Sequence, residues 1–128
     1  LLALLRSALQ SFPTSGELWY LFGVVTQLWD REPGFRASDS LAAYQKAIDY
    51  DPTNFDACEN LAYVYDTYFD DFPNAQKHFR RAIELGAGAD SYIGLARVLA
   101  QMDQMKQALE MLALAIENAH VRAKELVA

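Results

Sequence analysis

The feature that most narrows what this chain can fold into is a small–bulky–small signature that returns along it. Ser40-Tyr44-Ala47, Ala75-Phe79-Ala82 and Ala108-Leu112-Ala115 each set a large side chain between two small ones on one helical face. The closing alanines, counted with Ala8, stand at 8, 47, 82 and 115. Ahead of each signature lies a second set with i, i+3, i+4, i+7 spacing. These sets are Trp19, Phe22, Gly23 and Thr26, then Cys58, Leu61, Ala62 and Tyr65, then Tyr92, Leu95, Ala96 and Leu99. The pattern is one helix pair repeated about every 34 residues. A hairpin of this kind cannot bury its apolar face alone, so the units must stack.

Punctuation supports the division. Pro13-Thr14-Ser15-Gly16, Glu32-Pro33-Gly34, Asp51-Pro52-Thr53-Asn54 and Gly86-Ala87-Gly88 interrupt the helical periodicity. Alternating strand patterns are scarce. The spacing predicts helices over 1–12, 17–30, 38–50, 54–69, 73–85, 90–101 and 104–118, with a short tail helix at 121–128. Asp71, Asp90 and Asp103 are the expected N-caps, and Pro73 fits a first turn, where its missing N–H costs little.

Composition sets outer bounds. With 128 residues and 52% hydrophobic content, the chain can bury a core. Its net charge of −6 argues against general affinity for nucleic acid or anionic lipid. No apolar stretch is long enough to span a bilayer. Cys58 is the only cysteine, which excludes an intrachain disulfide or a cysteine zinc cage and is compatible with a reducing, cytoplasmic compartment. The chain opens at Leu1 without a signal-peptide pattern, and its ends present apolar residues (Leu2 and Leu4; Val121, Leu126 and Val127). The expectation is a piece of a longer repeat protein, or self-association of the chain.

These residues resemble the tetratricopeptide repeat (TPR) family, whose unit of about 34 residues has Trp, Leu-Gly, Tyr, Ala, Phe, Ala and Pro slots. Trp19, Phe22-Gly23, Tyr44, Ala47 and Pro52 fill the slots of a first unit. Leu61-Ala62, Tyr65, Ala75, Phe79 and Ala82 fill those of a second, and Tyr92, Leu95-Ala96, Ala108 and Ala115 those of a third. The resemblance implies an all-α, right-handed superhelix of antiparallel helix pairs. Residues 1–13 would be the second helix of a preceding unit, 14–52 repeat 1, 53–88 repeat 2, 89–120 repeat 3 and 121–128 a short C-terminal helix. Repeat 1 departs from the pattern by an inserted turn in Arg31–Ser38. Cys58 replaces the large aromatic, and Ala87 and His120 stand where Pro is usual.

No catalytic constellation is legible, so the expected function is non-catalytic, without cofactor or metal. Gly86-Ala87-Gly88 lacks the strand and lysine of a phosphate loop. His78 and His120 share no metal-ligand spacing and read as packing or surface residues. Cys58 reads as a buried thiol.

The informative constellation is electrostatic. The resemblance makes the first helix of each pair line a concave groove. Those helices carry Glu17, Asp56, Glu59, Asp66 and Asp90 against Arg97 alone. Tyr20, Val24, Asn60, Tyr63 and Ile93 share their groove-facing positions. One reading is an acidic rim over an aromatic floor, suited to a protein segment bearing Lys or Arg. The other is an ordinary solvated face. Asn60 matches an asparagine that the family uses to hold a ligand backbone. The family's clamp for chaperone tails is not reproduced, because Tyr20, Val24, Asp90 and Gly94 stand at its other positions. Phe35, between Arg31 and Arg36 in the inserted turn, either contacts a partner or packs back on the fold. The expected role is a protein-interaction scaffold. The alternatives are self-association through the repeat ends and regulatory attachment within a larger protein.

Overall fold

The computed structural model describes residues 1–127, which form seven α-helices and no strand among the described residues. They are α1 (Leu2–Ser11), α2 (Gly16–Leu28), α3 (Ala37–Tyr50), α4 (Phe55–Phe69), α5 (Phe72–Glu84), α6 (Ala89–Gln101) and α7 (Met105–Val127). Each helix packs on the next in sequence, and α4 also touches α6. The chain is therefore a linear stack of helix pairs, α2–α3, α4–α5 and α6–α7, with α1 against α2. The all-α solenoid expected from the repeat spacing is what forms.

Local chemistry fixes the helix ends. Ser15 caps α2 by accepting from the Leu18 N–H, Asn54 caps α4 through Ala57, and Asp71 caps α5 through Asn74 at 3.3 Å. Pro73 sits in the first turn of α5, as its missing donor permits. Two expected caps are displaced. Asp90 lies inside the first turn of α6, whose N-cap is Gly88. Asp103 takes a left-handed turn with φ +59° before α7 begins at Met105. The break expected between 118 and a tail helix at 121 is also absent. Asn118-Ala119-His120 contains neither Gly nor Pro, and α7 runs through it to Val127. The last residue of the expected tail, Ala128, lies outside the described residues.

The repeat signature is the core. Tyr44, Phe79, Leu61, Leu95 and Leu99 are essentially fully buried, and so are their small partners Ala47, Ala75 and Ala82. Small residues permit the approach. A Cβ on Gly23 would lie 2.7 Å from the Tyr44 ring, and one on Gly94 would lie 2.4 Å from that of Phe79. Burying one such aromatic stabilises the fold by about 2 kcal/mol. The third bulky residue, Leu112, breaks the pattern. It is exposed, because α7 is the last described helix and nothing packs over that face.

Candidate functional site

The register places the residues expected to face a groove in rows across α2, α4 and α6. Glu17, Asp56 and Asp90 occupy equivalent positions in the first turn of the three helices, and all three are exposed. A carboxylate there also complements the positive end of the helix dipole. Each position therefore suits its own helix, and together the three set a line of negative charge along one edge.

The next rows are mixed. Tyr20, Glu59 and Ile93 form the second, with Ile93 half exposed at 49%. Val24, Tyr63 and Arg97 form the third. Val24 and Tyr20 pack against the buried cluster of Tyr44, Leu61 and Val64. The Tyr20 ring leans on Tyr44 at 6.1 Å, and Tyr44 donates to Gln27 Oε1 at 2.7 Å. Tyr63 meets Phe79 edge-on at 5.0 Å and donates to the Asp90 carbonyl at 3.3 Å. These aromatics are held by contacts on two sides, so they form a fixed floor.

Two of the five acids differ from the rest. Glu59 is half-buried and accepts a hydrogen bond from the fully buried Ser91 hydroxyl. Burial pushes its carboxyl above the ordinary range, opposed by the Ser91 bond, while Asp90 and Asp56 raise it further. Asp66 is only 3% exposed, with its Oδ2 3.4 Å from Arg97 Nε and in no formed hydrogen bond. Burial raises its carboxyl as well, with Arg97 opposing. Arg97 itself reaches into solvent. Asp66 is therefore placed to hold Arg97 rather than to meet a ligand. Asn60 is half-buried, and its Nδ2 donates to the Tyr20 hydroxyl at a long 3.4 Å. That weak bond leaves the amide able to exchange partners.

Elsewhere the candidates resolve as packing. Cys58 is fully buried, and burial pushes its thiol up. His78 stacks on Tyr65 with rings 5.6 Å apart and nearly parallel, while His120 is exposed on α7. No group of three or more His, Cys, Asp or Glu able to hold a metal ion occurs among the described residues. Among the described residues, no helix is long and apolar enough to cross a membrane. The inserted turn between α2 and α3 folds onto the next unit. Phe35 packs on Tyr68 at 5.5 Å, and Tyr68 donates to Asp30 at 2.8 Å. Sequence reasoning missed that this turn also walls a cleft with Trp29, Arg6 and Lys46. The pairing of Lys46 with Trp19 was invisible because they lie on different helices.

Comparison with known proteins agrees with this architecture. Residues 89–119 match the tetratricopeptide repeat model. No curated protein matches the sequence. Among solved structures, one crystal structure of MamA superposes with a TM-score of 0.86 at 21% identity, covering 96% of this chain and 69% of that one. A second MamA structure gives 0.82 at 21% identity, covering 96% of this chain and 64% of that one. YrrB, described as a TPR protein with an unusual peptide-binding site, gives 0.76 at 23% identity over 89% of this chain and 56% of its own. The chain thus spans between about half and two thirds of the length of these structures. Residues 89–119 thus match a tetratricopeptide repeat, and along its length the chain has the fold of these tetratricopeptide-repeat solenoids.

Proposed function

We propose that this chain is a non-catalytic interaction scaffold whose α2–α4–α6 face holds a Lys- or Arg-bearing segment of a partner protein. The units are 14–52, 53–88 and 89–120, with 1–13 as the second helix of a preceding unit. One observation carries the reading: Glu17, Asp56 and Asp90 are exposed, register-equivalent and aligned along one edge. Tyr20, Tyr63 and Ile93 lie beside that line, where they offer apolar surface to the stems of basic side chains. Glu59 and Asn60 complete the contact surface. Asp66 and Arg97 set its far side. A peptide-binding site in YrrB, which shares the fold, supports a peptide as the class of ligand.

The test is binding of a short lysine- and arginine-rich peptide, measured by calorimetry over a salt series. The double variant Asp56→Lys/Asp90→Lys should weaken it by about tenfold or more and flatten the salt dependence. Affinity unchanged by that reversal overturns the basic-partner reading.

The exposed Leu4 on α1 and Leu109 and Ile116 on α7 support a second reading, association of copies through the end helices. Sedimentation over a concentration series checks it. A dimer abolished by Leu2→Glu/Leu4→Glu, with no peptide held in the groove, favours self-association over the scaffold reading.

A further inference from the structure

The face that carries the acids is not uniform across its width. Glu17, Asp56 and Asp90 stand in the first turns of α2, α4 and α6. Val24, Tyr63 and Arg97 stand seven residues further along the same helices, about 10 Å away at a rise of about 1.5 Å per residue. Tyr20, Glu59 and Ile93 lie between the two rows. One side of the face is therefore carboxylate, while the other has two half-buried uncharged side chains and a single cation.

That cation is held from beneath. The Arg97 side chain is 61% exposed, whereas that of Asp66, its ion-pair partner on α4, is 3% exposed. Nε makes the contact at 3.4 Å, so the two terminal nitrogens of the guanidinium are not taken up by it. The pair is neutral in sum but layered, with the carboxylate inside and the cation outside. A ligand arriving at the surface meets the positive end first. One ion pair seldom repays the desolvation of a buried carboxylate, so this pair is a poor device for stability. What it does yield is a cation fixed opposite a row of acids. Discrimination between ligands commonly needs such a repulsive element beside the attractive one.

We propose that Arg97 is a specificity-determining residue of this face, rejecting segments with basic side chains on both sides and admitting those whose cations all lie on one side. This inference rests on the reading of the α2–α4–α6 face as a site for a basic segment, and it adds the pattern of that segment. In an extended chain successive side chains point to opposite sides. One set meets Glu17, Asp56 and Asp90, and the other meets Val24, Tyr63 and Arg97. The segment that fits has Lys or Arg at alternate positions with apolar residues between them. Its cations face the carboxylates, and its apolar side chains cover Val24 and Tyr63 without opposing Arg97.

The test is calorimetry with two end-blocked hexapeptides of identical composition, Lys-Val-Lys-Val-Lys-Val and Lys-Val-Val-Lys-Lys-Val. Their charge is the same, but only the first keeps every lysine on one side when extended. The wild-type chain should prefer the first by about threefold to tenfold. Asp66→Asn/Arg97→Gln removes the pair without changing net charge or leaving a carboxylate buried alone. It should bring the two affinities within about twofold, by strengthening the second peptide. Arg97→Gln alone should do the same, and Arg97→Lys, which keeps the charge, should keep the preference. Circular dichroism verifies that each variant is folded. A preference that survives Asp66→Asn/Arg97→Gln overturns the proposal, and so does its loss in Arg97→Lys. Equal binding of both peptides to the wild type, with both weakened by Asp56→Lys/Asp90→Lys, overturns this inference and leaves the basic-partner reading standing. Binding of neither peptide to the wild type overturns both.

Discussion

Asp66 shows how a single side chain can look like a ligand contact in sequence and serve another purpose in the fold. It falls on a groove-facing position of α4, yet it is buried against Arg97 with one carboxylate oxygen outside any hydrogen bond. Burial penalises the charged form more than Arg97 restores it, so the folded chain holds this proton more tightly than the unfolded chain does. Stability from such a group is greatest when it is protonated and falls as pH rises through the window just above the ordinary carboxylate range. His78 works in the opposite direction. Burial, with Lys77 beside it, favours its neutral form, so its contribution weakens as pH falls through the histidine range. The difference between wild type and Asp66→Asn isolates the carboxylate. Urea midpoints should show the variant no less stable near pH 7, with its advantage shrinking towards about pH 5. A variant that is clearly weaker at neutral pH would mean that the Arg97 pairing outweighs the burial. Cys58 offers a second check at this scale. Closed off and with a raised thiol, it should react with thiol reagents only as the chain unfolds, and labelling as fast as a free thiol would contradict its burial.

At the level of helices, the decisive contacts set a ring against a position with no side chain. Gly94 of α6 approaches Phe79 of α5 so closely that a Cβ would meet the ring at 2.4 Å. Phe79 is fully buried among Ala62, Ala75, Leu95 and Ala96, so it has little room to yield. Gly94→Ala should therefore cost about 1–3 kcal/mol by overpacking, more than any gain in helix propensity returns. Shortening the ring in Phe79→Leu should recover part of that loss, so the double variant costs less than the two singles together. Denaturant unfolding measures the cycle, and strict additivity would mean that the two positions do not compete for space. The small–bulky–small spacing makes this interface legible because periodicity shows which residues share a face. Gly94 itself is harder to read, since the slot for a small residue is filled by Ala96 two positions later. The end of α7 is illegible for a related reason. Repeat length implies a boundary near 120, but helix propagation stops only where a residue opposes it, and none between Asn118 and Val121 does. The exposed row of Glu17, Asp56 and Asp90 is readable from register alone. The cleft beside the inserted turn is not, because its cations and rings meet only when α1, α2 and α3 are stacked.

For the molecule as a whole, a linear stack implies stability that varies along its length, because each unit is held only by its neighbours. Burial is uneven in the way this requires. Every close-packed face of α4, α5 and α6 is covered from both sides, and Ala57, Cys58, Leu61, Val64, Ala75, Phe79, Ala82, Val98 and Leu99 are shut off from solvent. Helix α1 contributes only Leu5 and Leu9 to the interior, and α7 only Ala108 and Ala115, although α7 is the longest helix. Opening a segment exposes the apolar surface it buries, at about 25 cal/mol per Å², so the central helices are the most costly to open. Amide exchange should thus be slowest in α4, α5 and α6. It should be faster in α1 and fastest in the C-terminal half of α7, where most side chains are exposed and Asn118 and Arg122 reach back to the stack. A basic peptide held as proposed across α2, α4 and α6 should change this gradient by protecting their first turns. Slowing of α7 by that peptide would show binding at the exposed end face rather than across α2, α4 and α6.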